Sequence, residues 1–176
     1  AGLMIGAADT PLCVPCGRAI PHLRRLLVTL ERVQPAGTTH VAATLRPLFA
    51  MARRRGLLVV ISDLIEEPDA LFEALAMYSH RGWRILIFHV LTEEELLLPG
   101  TGPTRYLDPE GPDYLDVEPE ALRATYQAEV RGWLRALENQ CKARRIHYAR
   151  ATTVTPYDHM LERFLTCRTQ QGLRVY

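Results

Sequence analysis

The chain has no apolar run long enough to cross a bilayer. Its longest strand-like runs, 57–61 and 85–91, are bounded by glycine and charge and fall well short of the roughly 20 residues that a spanning helix needs. The first residues, which begin with alanine, lack a basic segment followed by a sustained apolar block, so no secretory leader is expected. Cysteine is scarce. The four, at 13, 16, 141 and 167, are too few for a disulfide scaffold in 176 residues and point to a reducing, cytoplasmic setting. Charge of one sign is missing too: the net charge is +1, which gives no basic field for nucleic acid and no acidic tail. Lys142 is the one lysine. No G-x-G-x-x-G, G-x-x-x-x-G-K-[ST] or G-x-S-x-G occurs, and the six histidines show neither H-x-x-x-H nor H-E-x-x-H spacing. Nothing assembles a nucleophile, a base and an oxyanion hole, so the expectation is that the chain is not an enzyme.

What is present is globular. Hydrophobic residues make up 48% and charged residues 23%, and the length suits one domain, expected over 1–168 with a tail at 169–176. The apolar period alternates between strand and helix. Residues 2–9 are small and apolar and read as a strand, with 10–15 as its hairpin return. In 18–33, Leu23, Leu26, Leu27, Leu30 and Val33 share one helical face. Pro35-Ala36-Gly37 breaks that helix. Thr38 or Thr39 is then placed to cap a second helix running to Arg55, stopped by Gly56. Residues 57–61 form a continuous apolar run, which suits a strand buried on both faces of a parallel sheet. It ends in Ser62-Asp63. A helix over 67–80, opened by Pro68, leads to a second buried strand over 83–91. The pattern loosens over 92–119, where 104–107 and 114–117 can pair as a surface hairpin. A long helix from Pro119 to about 145 follows, then a strand over 146–151 and a closing helix over 156–167. This order predicts an α/β fold, a three-layer sandwich around a mostly parallel sheet. In such sheets ligands bind beyond the carboxyl ends of the strands, the place Asp63 takes.

Several stretches, in order, carry a resemblance: HLRRLLVTLERVQPAGTTH (22–40), RRRGLLVVISDLIEEPDAL (53–71), RGWRILIFHVLTEEEL (81–96), EPEALRATY (118–126) and TPYDHMLERFLTCR (155–168). Together they resemble the bacterial domain-of-unknown-function family 58, a branch of the von Willebrand factor type A superfamily. The resemblance implies a metal-ion-dependent adhesion site at the top of the sheet. Thr39 matches its threonine, with Thr38 as neighbour, and Asp63 matches its aspartate, with Ser62 beside it. The ion implied is Mg²⁺ or Mn²⁺, a hard cation that takes oxygen ligands and keeps several waters. The family's Asp-x-Ser-x-Ser segment is not among these residues, and His40 stands where the family commonly has an acid. The resemblance therefore begins at the family's second strand, and the expectation is that another segment, or a second copy forming a homodimer, closes an open sheet edge. As a partner the resemblance implies a MoxR-type AAA ATPase, with a chaperone-like role in complex assembly.

Other groupings have plainer explanations. Cys13-Val14-Pro15-Cys16 has the spacing of a redox-active pair, and a thiol redox protein is the rival reading, but the strand–CxxC–helix frame of the thioredoxin fold is missing. Zinc would need Cys141 and Cys167 to join that pair, and those two lack ligand spacing. Asp63 also stands where a receiver's phosphoacceptor would, yet the lysine such a site needs is absent from a later strand end. As a bare cap, Asp63 would accept backbone N–H bonds at its turn. The Arg53–Arg55 run is explained by a helix C-terminus. Glu93-Glu94-Glu95 reads as a solvated helical turn, and His89 as a core histidine with its hydrogen bonds satisfied. A third possibility is a scaffold with a dead metal site.

Overall fold

The computed structural model describes residues 1–6, 11–34, 39–52, 54–107, 112–159 and 162. They group into two compact units between which the chain alternates. The first holds Ala1–Gly56, Ile65–Trp83 and Asp108–Asp113; the second holds Leu57–Leu64, Arg84–Leu107 and Tyr114–Tyr176. Helices and strands mix throughout, and the central sheet of the second unit is parallel, so the class is α/β.

In the first unit, β1 (Leu3–Ile5) and β2 (Leu12–Val14) form the expected antiparallel hairpin, with Met4 opposite Cys13. Helix α1 (Ile20–Arg32) starts with proline in its first turn, where a missing N–H costs nothing. Of its apolar face only Leu26 is buried, while Ile20, Leu23, Leu27 and Leu30 are exposed. Helix α2 (Val41–Met51) and helix α3 (Pro68–His80) make the unit's core, with Leu45 of α2 and Leu71, Phe72, Leu75 and Tyr78 of α3 buried. Tyr78 ties the two helices together. Its hydroxyl donates to the Leu45 carbonyl at 2.7 Å, and burial pushes its pKa up to about 12. Its ring meets Phe49 and Trp83 edge-to-face at 5.1 and 5.6 Å.

Two expectations about α2 need correction. Thr39 does not cap it: the residue at the cap position is His40, with no side-chain cap bond. The role passes to Glu66, whose carboxylate accepts from the Ala42 N–H at 3.2 Å. A charged oxygen at a helix N-terminus satisfies an orphan donor and meets the positive end of the dipole, so a distant carboxylate displaces the adjacent hydroxyl. The helix also ends at Met51 rather than running to Arg55. Arg81 completes that end, donating to the carbonyls of Phe49 and Ala52 at 3.2 Å each, with its guanidinium 3.6 Å above the Phe49 ring.

The second unit is built from β3 (Leu57–Ser62), β4 (Arg84–Leu91), α4 (Glu93–Leu97), β5 (Thr104–Leu107), β6 (Tyr114–Val117), α5 (Pro119–Ala143) and β7 (His147–Thr152). Its sheet is parallel, in the order β3-β4-β7, with Val60 opposite Ile87 and Phe88 opposite Ala149. Strand β4 is buried on both faces from Ile85 to His89, as its unbroken apolar run predicts. Strand β3 departs from that expectation. Leu58 and Val60 are buried, but Leu57 and Val59 are each 43% exposed and Ile61 is 70% exposed. Among the described residues β3 is an edge strand, hydrogen-bonded to β4 alone, and its side chains alternate between exposed and buried along its length.

The loose region resolves into small, well-capped pieces. Thr92 and Glu95 form a reciprocal capping box on α4, so the acidic triplet is indeed a helical turn. The hairpin β5–β6 falls at the expected residues, with Arg105 bridging Asp116 at 2.7 Å on its exposed face. Helix α5 holds the return of the loop: Tyr126 donates to the Glu95 carbonyl at 2.7 Å and Gln127 to that of Leu97 at 3.0 Å. Deeper along α5, Leu134, Leu137 and Cys141 are buried, and burial raises the Cys141 thiol to about 11. Most of the closing helix expected over 156–167, and the whole tail at 169–176, lie outside the described residues.

Candidate binding site

The carboxyl end of β3 is fixed by a small polar network. The Ser62 hydroxyl accepts from the Leu64 N–H at 3.1 Å and donates to Asp63 Oδ1 at 3.2 Å. Leu64 itself sits at φ 56°, a left-handed conformation costly for a residue with a branched side chain, and is 2% exposed. Burial of that side chain holds the turn in its unusual shape. Asp63, one residue earlier, is left exposed.

A second support comes from β4. His89 is completely buried. Its Nε2–H donates to the Asp63 carbonyl at 2.6 Å, and its Nδ1 accepts from the Tyr148 hydroxyl of β7 at 2.6 Å. This assignment requires the neutral ring. Burial holds the imidazole below its ordinary 6.5, against the pull of the Asp63 carbonyl bond and the Asp63 charge. Burial likewise raises the Tyr148 phenol, which keeps it a donor. The indole of Trp133 on α5 meets the His89 ring edge-on at 5.2 Å. His89 is thus the satisfied core histidine read from the sequence. It has an added effect that the sequence did not reveal: it anchors the backbone of Asp63 across the sheet.

The candidate metal residues belong to different units. Asp63 and Ser62 lie in the second unit; Thr39 lies in the first and is exposed; Thr38 lies outside the described residues. Among the described residues no group of three or more His, Cys, Asp or Glu side chains is placed to hold a metal ion. At the Asp63 turn the donors are one carboxylate and one hydroxyl already engaged in two bonds. A hard dication wants about six oxygens, so this donor set does not by itself fit Mg²⁺ or Mn²⁺.

Two features escaped the sequence reading. Glu66 is the first. One of its oxygens caps α2, and the other is buried with no hydrogen-bond partner among the described residues. Nothing in the local pattern of Glu66-Glu67-Pro68 distinguishes the capping acid from its neighbour. The second is a cavity of about 390 Å³ in the second unit, at the carboxyl ends of β4 and β7. Leu91, Glu138, Tyr148, Arg150 and Thr152 line it, giving one charge of each sign. Its volume falls within the range of small-molecule sites. Cys13 is half-buried and Cys16 exposed, both as free thiols.

Among known proteins, the sequence model of the family described as "Protein of unknown function DUF58" matches residues 1–133. No curated protein and no solved structure matches the chain.

Proposed function

The chain belongs to the DUF58 family of proteins of unknown function, and on that premise we propose that it is a non-enzymatic protein-binding module of the von Willebrand factor type A kind. The observation that carries this reading is the Asp63 turn. An exposed carboxylate stands at the carboxyl end of a parallel strand, where α/β sheets bind ligands, and its backbone is held by Ser62, Leu64 and His89. Such a carboxylate can meet a cationic side chain directly. It can also share a Mg²⁺ or Mn²⁺ ion whose remaining ligands come from water and from an acidic group of the partner. The partner implied by the family resemblance is a MoxR-type AAA ATPase, with a chaperone-like role in assembling a complex in the cytoplasm. Among the described residues no helix is long and apolar enough to cross a membrane.

The test is capture of a MoxR-type ATPase by the immobilised chain, with Mg²⁺ present and after chelation, alongside calorimetric titration of Mg²⁺ and Mn²⁺. Asp63→Ala is expected to abolish capture while leaving the circular dichroism spectrum unchanged. Loss of capture on chelation assigns an ion to the site; ion-independent capture that still needs Asp63 assigns direct carboxylate recognition. Capture unaffected by Asp63→Ala sinks the reading.

A further inference from the structure

A parallel sheet sends the starts of all its strands to one end, so the residues leading into β3, β4 and β7 gather there. Those lead-ins are basic. Arg84 opens β4, Lys142 lies in the last turn of α5, and Arg144 and Arg145 make the turn into β7. All four are exposed. Leu86 stands opposite His147 in the ladder, and Arg84 and Arg145 each lie two residues upstream of that pair. Arg54 and Arg55 precede β3 in the chain. No aspartate or glutamate occurs from 32 to 62, from 74 to 92 or from 139 to 157. The helix-terminus explanation covers only part of this set. Arg144 does donate to the Gln140 carbonyl of α5 at 3.2 Å. Arg54 and Arg55, however, lie beyond α2, which ends at Met51, and a helix dipole acts only within its last turn. Arg84 stands in a strand.

The carboxyl end of the same sheet carries the opposite charge, with Asp63 after β3 and Glu93, Glu94 and Glu95 after β4. The net charge of +1 hides this division. Strand β3 has six residues, a length of about 20 Å at about 3.3 Å per residue. Charges in physiological salt are screened within about 8 Å. The acidic rim therefore leaves the basic end as a local field of its own. We propose that this basic end docks on an anionic phospholipid surface. All but one of its cations are arginine, whose planar fork matches a phosphate through two hydrogen bonds. They sit on strand starts and a tight turn, with no projecting helix or ribbon to enter a nucleic-acid groove. Trp83, next to Arg84 in the chain, packs its ring against Gly56 and Tyr78, where it stacks no base. A sheet charged oppositely at its two ends settles on a planar anionic surface one way up, with Asp63 turned to the solvent. The attraction acts within a screening length of the headgroups and needs no inserted apolar segment.

Flotation of the whole chain with vesicles reads the contact. Vesicles of phosphatidylcholine with one quarter phosphatidylserine are expected to carry the chain at low salt and to release it at high salt. Pure phosphatidylcholine vesicles are expected to leave it behind. Arg84→Glu combined with Arg145→Glu is expected to weaken partitioning at least about tenfold. Arg131→Glu combined with Arg135→Glu makes the same change in net charge at exposed positions along α5 and is expected to weaken it less than about threefold. All four positions are exposed, so the variants keep the fold, which circular dichroism verifies. Asp63 lies at the other end of the sheet, so Asp63→Ala is expected to leave partitioning unchanged, and failure here is distinct from failure of partner capture at Asp63. No partitioning into the anionic vesicles overturns the proposal, as does an equal loss in the two double variants. Tighter binding to duplex DNA than to the vesicles at equal phosphate also overturns it, and assigns the basic end to nucleic acid.

Discussion

Strands β3 and β4 lie side by side, run in the same direction and are both written in nearly uninterrupted apolar residues, yet they live in different surroundings. Strand β4 is paired on both edges and buried on both faces; among the described residues β3 is paired on one edge, and its side chains alternate between exposed and buried. The difference lies in neither run of letters. It comes from position in the sheet, which is settled by residues far away in the chain, including β7 some 60 residues after β4. A continuous apolar run therefore states what a strand tolerates, while its neighbours decide how much of that tolerance is used.

The largest expected effect separates the two strands directly. Ile87, in the middle of β4, is fully buried, and Val60 and Tyr148 flank it in register. Ile87→Ala leaves a cavity with no means of refilling and is expected to cost about 3–4 kcal/mol in urea unfolding. Val59→Ala in β3, measured in dilute solution, removes methyl groups that already touch water in part and is expected to cost less than about 1 kcal/mol. Equal losses would mean that the face of β3 is covered after all.

The next largest effect concerns what joins the strands. His89 links β4 to the end of β3 and to β7, so His89→Leu strands both the Asp63 carbonyl and the Tyr148 hydroxyl and is expected to cost about 2–3 kcal/mol. It also gives stability a dependence on pH. The folded imidazole is held below 6.5, whereas the unfolded one takes a proton near that value. Between the folded and unfolded values the unfolded state binds more protons, so stability rises with pH. The contribution is complete above about pH 6.5 and is lost as pH falls toward the folded value, by about 1.4 kcal/mol for each unit between the two. Urea midpoints from pH 7.5 down to 5 are expected to fall in the wild type, with that part of the slope absent in His89→Leu. A wild-type slope equal to that of the variant would mean that His89 is protonated within the fold.

How legible all this was depends on the range of the interaction concerned. Local signals read true: the hairpin of β5 and β6, the α4 turn whose capping box lies within four residues, and the prolines that open α3 and α5. His89 was legible as a core residue because a histidine amid Ile, Phe and Val has to be buried with partners. Which partners it has was not legible, since Asp63 and Tyr148 lie 26 and 59 residues away. The α2 cap failed for the same reason: Thr39 was the nearest suitable oxygen, and Glu66, 24 residues from Ala42, took the bond. Asp63 was legible as the end of a strand, but the turn that presents it depends on a left-handed Leu64, which no residue preference announces.

The smallest expected effect sharpens the comparison most, because it asks whether the outer face of β3 contributes anything to the monomer. Ile61 is 70% exposed, so little of its side chain leaves water on folding. Ile61→Thr keeps the β-branched shape that suits extended backbone and exchanges one exposed ethyl arm for a hydroxyl that water can solvate. With neither a cavity nor a buried polar group created, dilute monomer should lose no more than about 0.5 kcal/mol in urea unfolding. The same change made on the buried face, Val60→Thr, places a hydroxyl where no water reaches and is expected to cost more than about 1 kcal/mol. A loss at Ile61 that matched the loss at Val60 would make β3 a second β4, closed on both faces.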